Sequence, residues 1–120
     1  MKKILIVDDE PNIVMALEYT FKKNNFEVFI ARDGQEAIEI IKTNFPDMII
    51  LDVMMPLVDG YATIEQIKKD ENLKHTKVIF LSAKNKESDI QKGMALGADA
   101  YLTKPFSIKK VVDQVMELLS

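Results

Sequence analysis

Cysteine is absent from the 120 residues, which excludes a disulfide framework, a thiolate metal site and a cysteine nucleophile, and fits a reducing compartment. Histidine is nearly absent. The one copy, His75, lies in the polar stretch from Asp70 to Lys77 and reads as a surface loop residue, not as a phosphorelay histidine; no His or Cys cluster argues for zinc. Glycine and proline, four of each, are too few for a fibrous or low-complexity chain. A basic excess is missing as well. Sixteen Lys and Arg against 19 Asp and Glu give a net charge of -3, the opposite of a domain that binds nucleic acid by itself. No apolar run approaches the roughly 20 residues that span a bilayer, and Asp8-Asp9-Glu10 cuts short the one N-terminal stretch that imitates a signal peptide. There is no Gly-x-x-x-x-Gly-Lys, so a P-loop NTPase is excluded.

What is there is 48% hydrophobic and 29% charged, the composition of one globular domain over residues 1–120, expected to be soluble and cytoplasmic. Short apolar runs at 4–7, 28–31, 48–51, 78–81 and 100–102 are rich in β-branched and aromatic residues and lack polar alternation. Strands buried on both faces of a parallel sheet read this way. Between them the period becomes helical. Ile13, Ala16, Leu17, Thr20 and Phe21 form one stripe, and Ile108, Val111, Val112, Val115, Met116 and Leu119 form a cleaner one. Weaker helices are expected near Gln35–Thr43, Tyr61–Lys69 and Ser88–Leu96, with Pro11 in a first turn, Ser107 as an N-cap and Gly97 at a helix stop. Five strand–helix units predict an α/β three-layer αβα sandwich, flavodoxin-like, with a five-stranded parallel sheet in the order 2-1-3-4-5.

In such a sheet ligands bind beyond the carboxyl ends of the strands, at the switch point of the strand order. Asp8-Asp9, Asp52, Ser82-Ala83 and Thr103-Lys104-Pro105 fall there. Acidic residues after strands are ordinary turn formers and caps, but three carboxylates gathered on one rim repel one another. A hard cation with oxygen ligands resolves the conflict, and Mg²⁺ is the natural candidate. A carboxylate can then attack phosphorus, while Lys104 and the Ser82 hydroxyl take phosphoryl oxygens.

These residues resemble the receiver domain of bacterial two-component response regulators. The matching stretches are Ile4-Leu5-Ile6-Val7-Asp8-Asp9-Glu10-Pro11, Ile50-Leu51-Asp52-Val53-Met54-Met55-Pro56 with Asp59-Gly60, Leu81-Ser82-Ala83, and the run from Gly97 through Tyr101-Leu102-Thr103-Lys104-Pro105-Phe106. The resemblance implies Asp52 as phosphoacceptor, Mg²⁺ bound by Asp9 directly, by Asp8 mostly through water, by Asp52 and by the Met54 backbone carbonyl. It also implies Ser82 and Lys104 on the phosphoryl oxygens, Tyr101 as an aromatic switch whose ring turns inward as Ser82 moves toward phosphate, and a cis Lys104-Pro105 bond. A sensor histidine kinase or phosphotransfer protein would donate the phosphoryl group, docking where Met15 faces away from the apolar stripe, and a downstream effector domain or protein would read the result. Ala100 stands where winged-helix regulators often carry an acidic residue, and the last helix has no arginine, so the oligomeric state is left as monomer or phosphorylation-dependent dimer. Two other aspartate- or phosphate-using classes fit worse. A haloacid-dehalogenase phosphatase wants Asp-x-Asp after its first strand and a cap domain, and a flavodoxin-like FMN carrier wants a Ser/Thr/Gly-rich loop where Asp8-Asp9-Glu10 stands.

Overall fold

The five apolar runs all become strands of one sheet, because each can bury both of its faces only between two layers of helices. In the computed structural model, which describes residues 1–54 and 59–120, the chain alternates strictly: β1 (Lys3–Val7), α1 (Pro11–Lys23), β2 (Glu27–Ala31), α2 (Gly34–Asn44), β3 (Met48–Leu51), α3 (Gly60–Lys69), β4 (Lys77–Ser82), α4 (Glu87–Ala95), β5 (Ala100–Thr103) and α5 (Ile108–Leu119). The sheet order is β2-β1-β3-β4-β5, and every pairing is parallel. The expected elements are all present, and the ends of the stated ranges are displaced by at most one residue.

Alternate residues of each strand feed two cores. Leu5, Val7, Ile49, Leu51, Val78 and Phe80 pack with Ala37, Ile41, Ile64 and Ile67 of α2 and α3. Ile4, Ile6, Met48, Ile50, Ile79 and Leu81 pack on the other face with Leu17, Phe21, Val111 and Val115 of α1 and α5. Registers such as Ile6 opposite both Ile30 and Ile50 keep these faces aligned across the sheet.

The expected terminators hold. Pro11 opens α1 at its first position, where a missing N–H costs nothing. Ser107 caps α5 by accepting from Lys110 N–H, Gly97 takes φ +111 just beyond α4, and the Lys104-Pro105 bond is cis. Asp33 and Asp59 cap α2 and α3 with their carboxylates. Glu10 stands at the N-cap of α1 but makes no side-chain cap bond, which leaves its carboxylate free for other work. His75 and Met15 are exposed. Among the described residues no helix is long and apolar enough to cross a membrane. Met55 and Pro56 of the motif after Asp52 lie outside the described residues.

Candidate functional site

Asp8, Asp52 and Lys104 are each the first residue past a strand, and each is still hydrogen-bonded into the sheet. Asp8 N–H donates to Ala31 C=O at 3.2 Å, Asp52 N–H to Val7 C=O at 2.9 Å, and Lys104 N–H to Ser82 C=O at 2.8 Å. The ends of β1, β3 and β5 therefore set the positions of these side chains with the rigidity of the sheet itself.

The two aspartates are built alike. One oxygen of each is tied by its own turn: Asp8 Oδ1 accepts from Glu10 N–H at 2.9 Å and Asp52 Oδ1 accepts from Met54 N–H at 3.1 Å. The other oxygen of each faces the Lys104 ammonium, at 3.1 Å from Asp8 Oδ2 and 3.2 Å from Asp52 Oδ2. Such Asx turns are the ordinary use of aspartate after a strand; here they orient the oxygen left over. Both carboxylates are almost fully buried, at 2% and 4% exposure.

A third carboxylate completes the cluster, and it is not the one the sequence suggested. Glu10 Oε1 lies 2.8 Å from Lys104 Nζ, and Asp8, Glu10 and Asp52 offer oxygens within 4.8 Å of one another. Asp9 is exposed on the rim, where it lines a groove with Met54, Tyr61 and Lys84. The sequence does carry a signal for Glu10. Pro11 at the first helical position makes Glu10 the N-cap, which holds it at the strand-end rim with Asp8 and Asp9.

The electrostatics follow from this crowding. Burial pushes the Asp52 carboxyl above its ordinary value; the charge of Asp8 adds to the rise, and Met54 N–H and Lys104 oppose it. Burial likewise raises Asp8 against the Glu10 N–H and Lys104. Burial alone would lower the Lys104 ammonium, but its hydrogen bonds to Glu10 and Asp8 and the charge of Asp52 hold it above the ordinary lysine range. The cation is firmly held while the anions remain oversupplied. Three carboxylates against one ammonium leave two negative charges, the charge of one divalent ion. The donors are all hard oxygens, as Mg²⁺ or Ca²⁺ requires.

Ser82, at the end of β4, is fully buried. Its Oγ accepts from Lys84 N–H at 3.2 Å, which leaves the hydroxyl proton available to an acceptor. Tyr101, on β5, is half-buried; its ring lies 5.7 Å from that of Phe80 and its hydroxyl donates to Lys84 C=O at 2.8 Å. Lys84 is thus bonded through its backbone to both Ser82 and Tyr101. On the far side of Asp52, Gly60 N–H donates to Val53 C=O at 2.9 Å. A Cβ at Gly60 would collide with the Asp52 carbonyl oxygen, so the start of α3 lies directly against the acidic site.

Residues 4–116 match the family profile described as the response regulator receiver domain. Over 118 residues the chain is 42% identical to the alkaline phosphatase synthesis transcriptional regulatory protein PhoP of Bacillus subtilis, a match that covers 98% of this chain and 48% of that protein. The chain therefore spans about half the length of this curated relative. Among solved structures it is similar to the receiver domain of the Francisella response regulator 1452, with a TM-score of 0.91 and 37% identity, covering 98% of this chain and 96% of that one. It is also similar to the chemotaxis response regulator CheY4 of Vibrio cholerae, with a TM-score of 0.91 and 30% identity, covering 98% of each chain.

Proposed function

The chain belongs to the response regulator receiver domain family, and from that premise we propose that Asp52 accepts the phosphoryl group, that Lys104 and Ser82 hold phosphoryl oxygens, and that the cation is Mg²⁺. The domain is a phosphorylation-activated switch that catalyses its own phosphorylation and dephosphorylation. The observation that carries the assignment is the place of Asp52: it stands at the end of β3, between Asp8 after β1 and Ser82 at the end of β4, with one oxygen fixed by Met54 N–H and the other directed at Lys104. That second oxygen is the nucleophile. Its attack on phosphorus forms the acyl-phosphate bond as the bond to the donor's leaving group breaks. Lys104 and the Ser82 hydroxyl then take charge on two of the phosphoryl oxygens. Asp8, Asp9, Asp52 and the Met54 carbonyl would hold Mg²⁺, which supplies further charge neutralisation at those oxygens. The donor is a sensor histidine kinase or phosphotransfer protein that docks on the α1 face carrying the exposed Met15, and an effector domain or protein reads the change. Incubation with acetyl phosphate and Mg²⁺ tests the reading: intact-mass analysis should find one phosphoryl adduct, and none when the divalent ion is chelated.

The metal ligands separate by their response to Mg²⁺. Binding to the folded state at ten times Kd should stabilise the protein by about 1.4 kcal/mol, a melting-temperature rise of a few degrees. Asp8→Asn and Asp9→Asn should lose most of that rise. Glu10→Gln should keep most of it, because the Glu10 side chain is 55% exposed and water screens its charge, whereas Asp8 and Asp52 are buried. A rise lost in Glu10→Gln and kept in Asp9→Asn would transfer the ligand role to Glu10.

Lifetime turns on Met54 and Lys84. Met54 N–H is bonded to the Asp52 carboxylate and Lys84 N–H to Ser82 Oγ, so both side chains start beside the phosphoryl group and line one groove. An apolar thioether and an ammonium cannot accept a proton from an attacking water. Self-dephosphorylation should therefore be slow. Met54→Asn with Lys84→Glu should speed the decay of phosphorylated protein about tenfold or more, a modest share of what a positioned general base gives. Unchanged decay after donor removal, with Mg²⁺ present, would exclude these two residues as the timer.

A further inference from the structure

Helix α4 is poorly anchored by its own side chains. Its single fully buried residue is Gly93; Ile90 is half-buried and Leu96 at its C-cap packs on the core, so its own side chains bury little. What holds it is a row of aromatic rings beneath it. Tyr61 of α3 meets Phe80 of β4 edge to face at 5.6 Å, and Phe80 meets Tyr101 of β5 at 5.7 Å. Gly93 is the lid of this row: a Cβ there would come within 2.9 Å of Tyr101 Cδ2 and 3.0 Å of Phe80 Cδ2. The two outer rings each carry a hydroxyl, and each hydroxyl is bonded to the segment being held. Tyr101 donates to Lys84 C=O in the loop before α4, and Tyr61 donates to Asp89 C=O in its first turn, at 3.0 Å. Lys92, one turn along α4, sets its ammonium 4.5 Å from the Tyr61 ring centroid, a cation–π contact from the same helix.

Tyr61 also touches the other end of the mechanism. It follows Gly60, whose backbone is pressed on the Asp52 carbonyl and bonded to Val53 C=O. We propose that Tyr61 is a second aromatic positioning residue, a lever that ties the backbone beside Asp52 to the first turn of α4 and carries the phosphorylation signal to that helix. A shift of the Asp52–Val53 backbone moves Gly60, and with it the Tyr61 ring and the carbonyl its hydroxyl holds. Tyr101 reports on the loop through Lys84, whereas Tyr61 reports on the helix directly. Burial and the neighbouring Tyr101 hydroxyl hold the Tyr61 phenol above its ordinary value, so it remains a hydrogen-bond donor throughout the physiological pH range. The inference rests on Asp52 being the acceptor.

Tyr61→Phe removes the hydroxyl and keeps the ring. In the unphosphorylated protein, amide hydrogen exchange in residues 87–95 should quicken about threefold to tenfold, the range an ordinary hydrogen bond gives, while exchange in α2 stays as in the parent. At equal phosphoryl occupancy, fixed by intact mass, the phosphorylation-dependent change in α4 exchange should shrink to less than half. Tyr61→Leu, which also removes the ring, should abolish it. Unchanged α4 exchange, an equal quickening of α2, or a full phosphorylation response in Tyr61→Phe would each overturn the lever. A parent that takes no phosphoryl group would instead refute the acceptor reading, and the lever would fall with it.

Discussion

Asp52→Asn should yield no phosphoryl adduct with acetyl phosphate and Mg²⁺, and in the absence of divalent ions it should be more stable than the parent. The two effects have one source. On the proposed assignment the Asp52 oxygen that faces Lys104 is the nucleophile, and an amide in its place cannot form the acyl phosphate. The same carboxylate is buried beside Asp8, so its charge is a cost to the metal-free fold. Asparagine keeps the oxygen that accepts from Met54 N–H and sheds the charge, for a gain on the order of 1 kcal/mol. The pH dependence has a definite sign. Burial raises Asp52 above 3.8 in the folded protein, so the fold binds the proton more tightly than the unfolded chain does. Its contribution to stability is present below 3.8 and is lost as pH rises through the raised value. The stability advantage of Asp52→Asn should therefore grow as pH is taken upward through that window, as denaturant melts across it would record. An adduct of parental yield in the variant would refute the acceptor role, and a less stable variant at neutral pH without metal would refute the charge argument.

Lys104→Met should act in the opposite sense on stability. The ammonium is the sole cation in contact with Asp8, Glu10 and Asp52 among the described residues. Removing one partner of a buried ion pair costs about 3–5 kcal/mol; with Glu10 partly in solvent the loss should lie near the lower figure. The repulsion left behind favours a divalent ion, so the Mg²⁺-induced rise in melting temperature should be larger than in the parent. Phosphorylation should nevertheless slow by about 10²-fold, the usual cost of deleting one preorganised partner of a charged transition state. A variant with parental stability and rate would mean that the three contacts to Lys104 carry neither the fold nor the chemistry.

The fold was legible because parallel strands covered on both faces leave an unmistakable record: five apolar runs without alternation, separated by helical stripes. Asp8, Asp52, Ser82 and Lys104 were legible for the same reason, since a strand end specifies where the next residue lies. What depends on side chains meeting across elements was not. Glu10 looks like the polar end of an apolar run until Pro11 is read as a helix start, and its bond to Lys104 joins residues 94 apart in the chain. The row Tyr61, Phe80 and Tyr101 comes from three elements that adjoin only in the folded sheet. In the sequence Tyr61 marks no more than the beginning of a weak helix. Gly93 leaves no periodic signal at all, because its role is the absence of a side chain beneath α4.

The site of phosphorylation can be read directly. Sodium borohydride reduces an acyl phosphate to the alcohol, so a phosphorylated aspartate becomes homoserine and is located by peptide mass spectrometry. After acetyl phosphate and Mg²⁺, homoserine is expected at position 52 and nowhere else, and it should vanish when the ion is chelated. Homoserine at position 8 or 9, or a phosphoryl adduct that borohydride leaves intact, would contradict the assignment of Asp52.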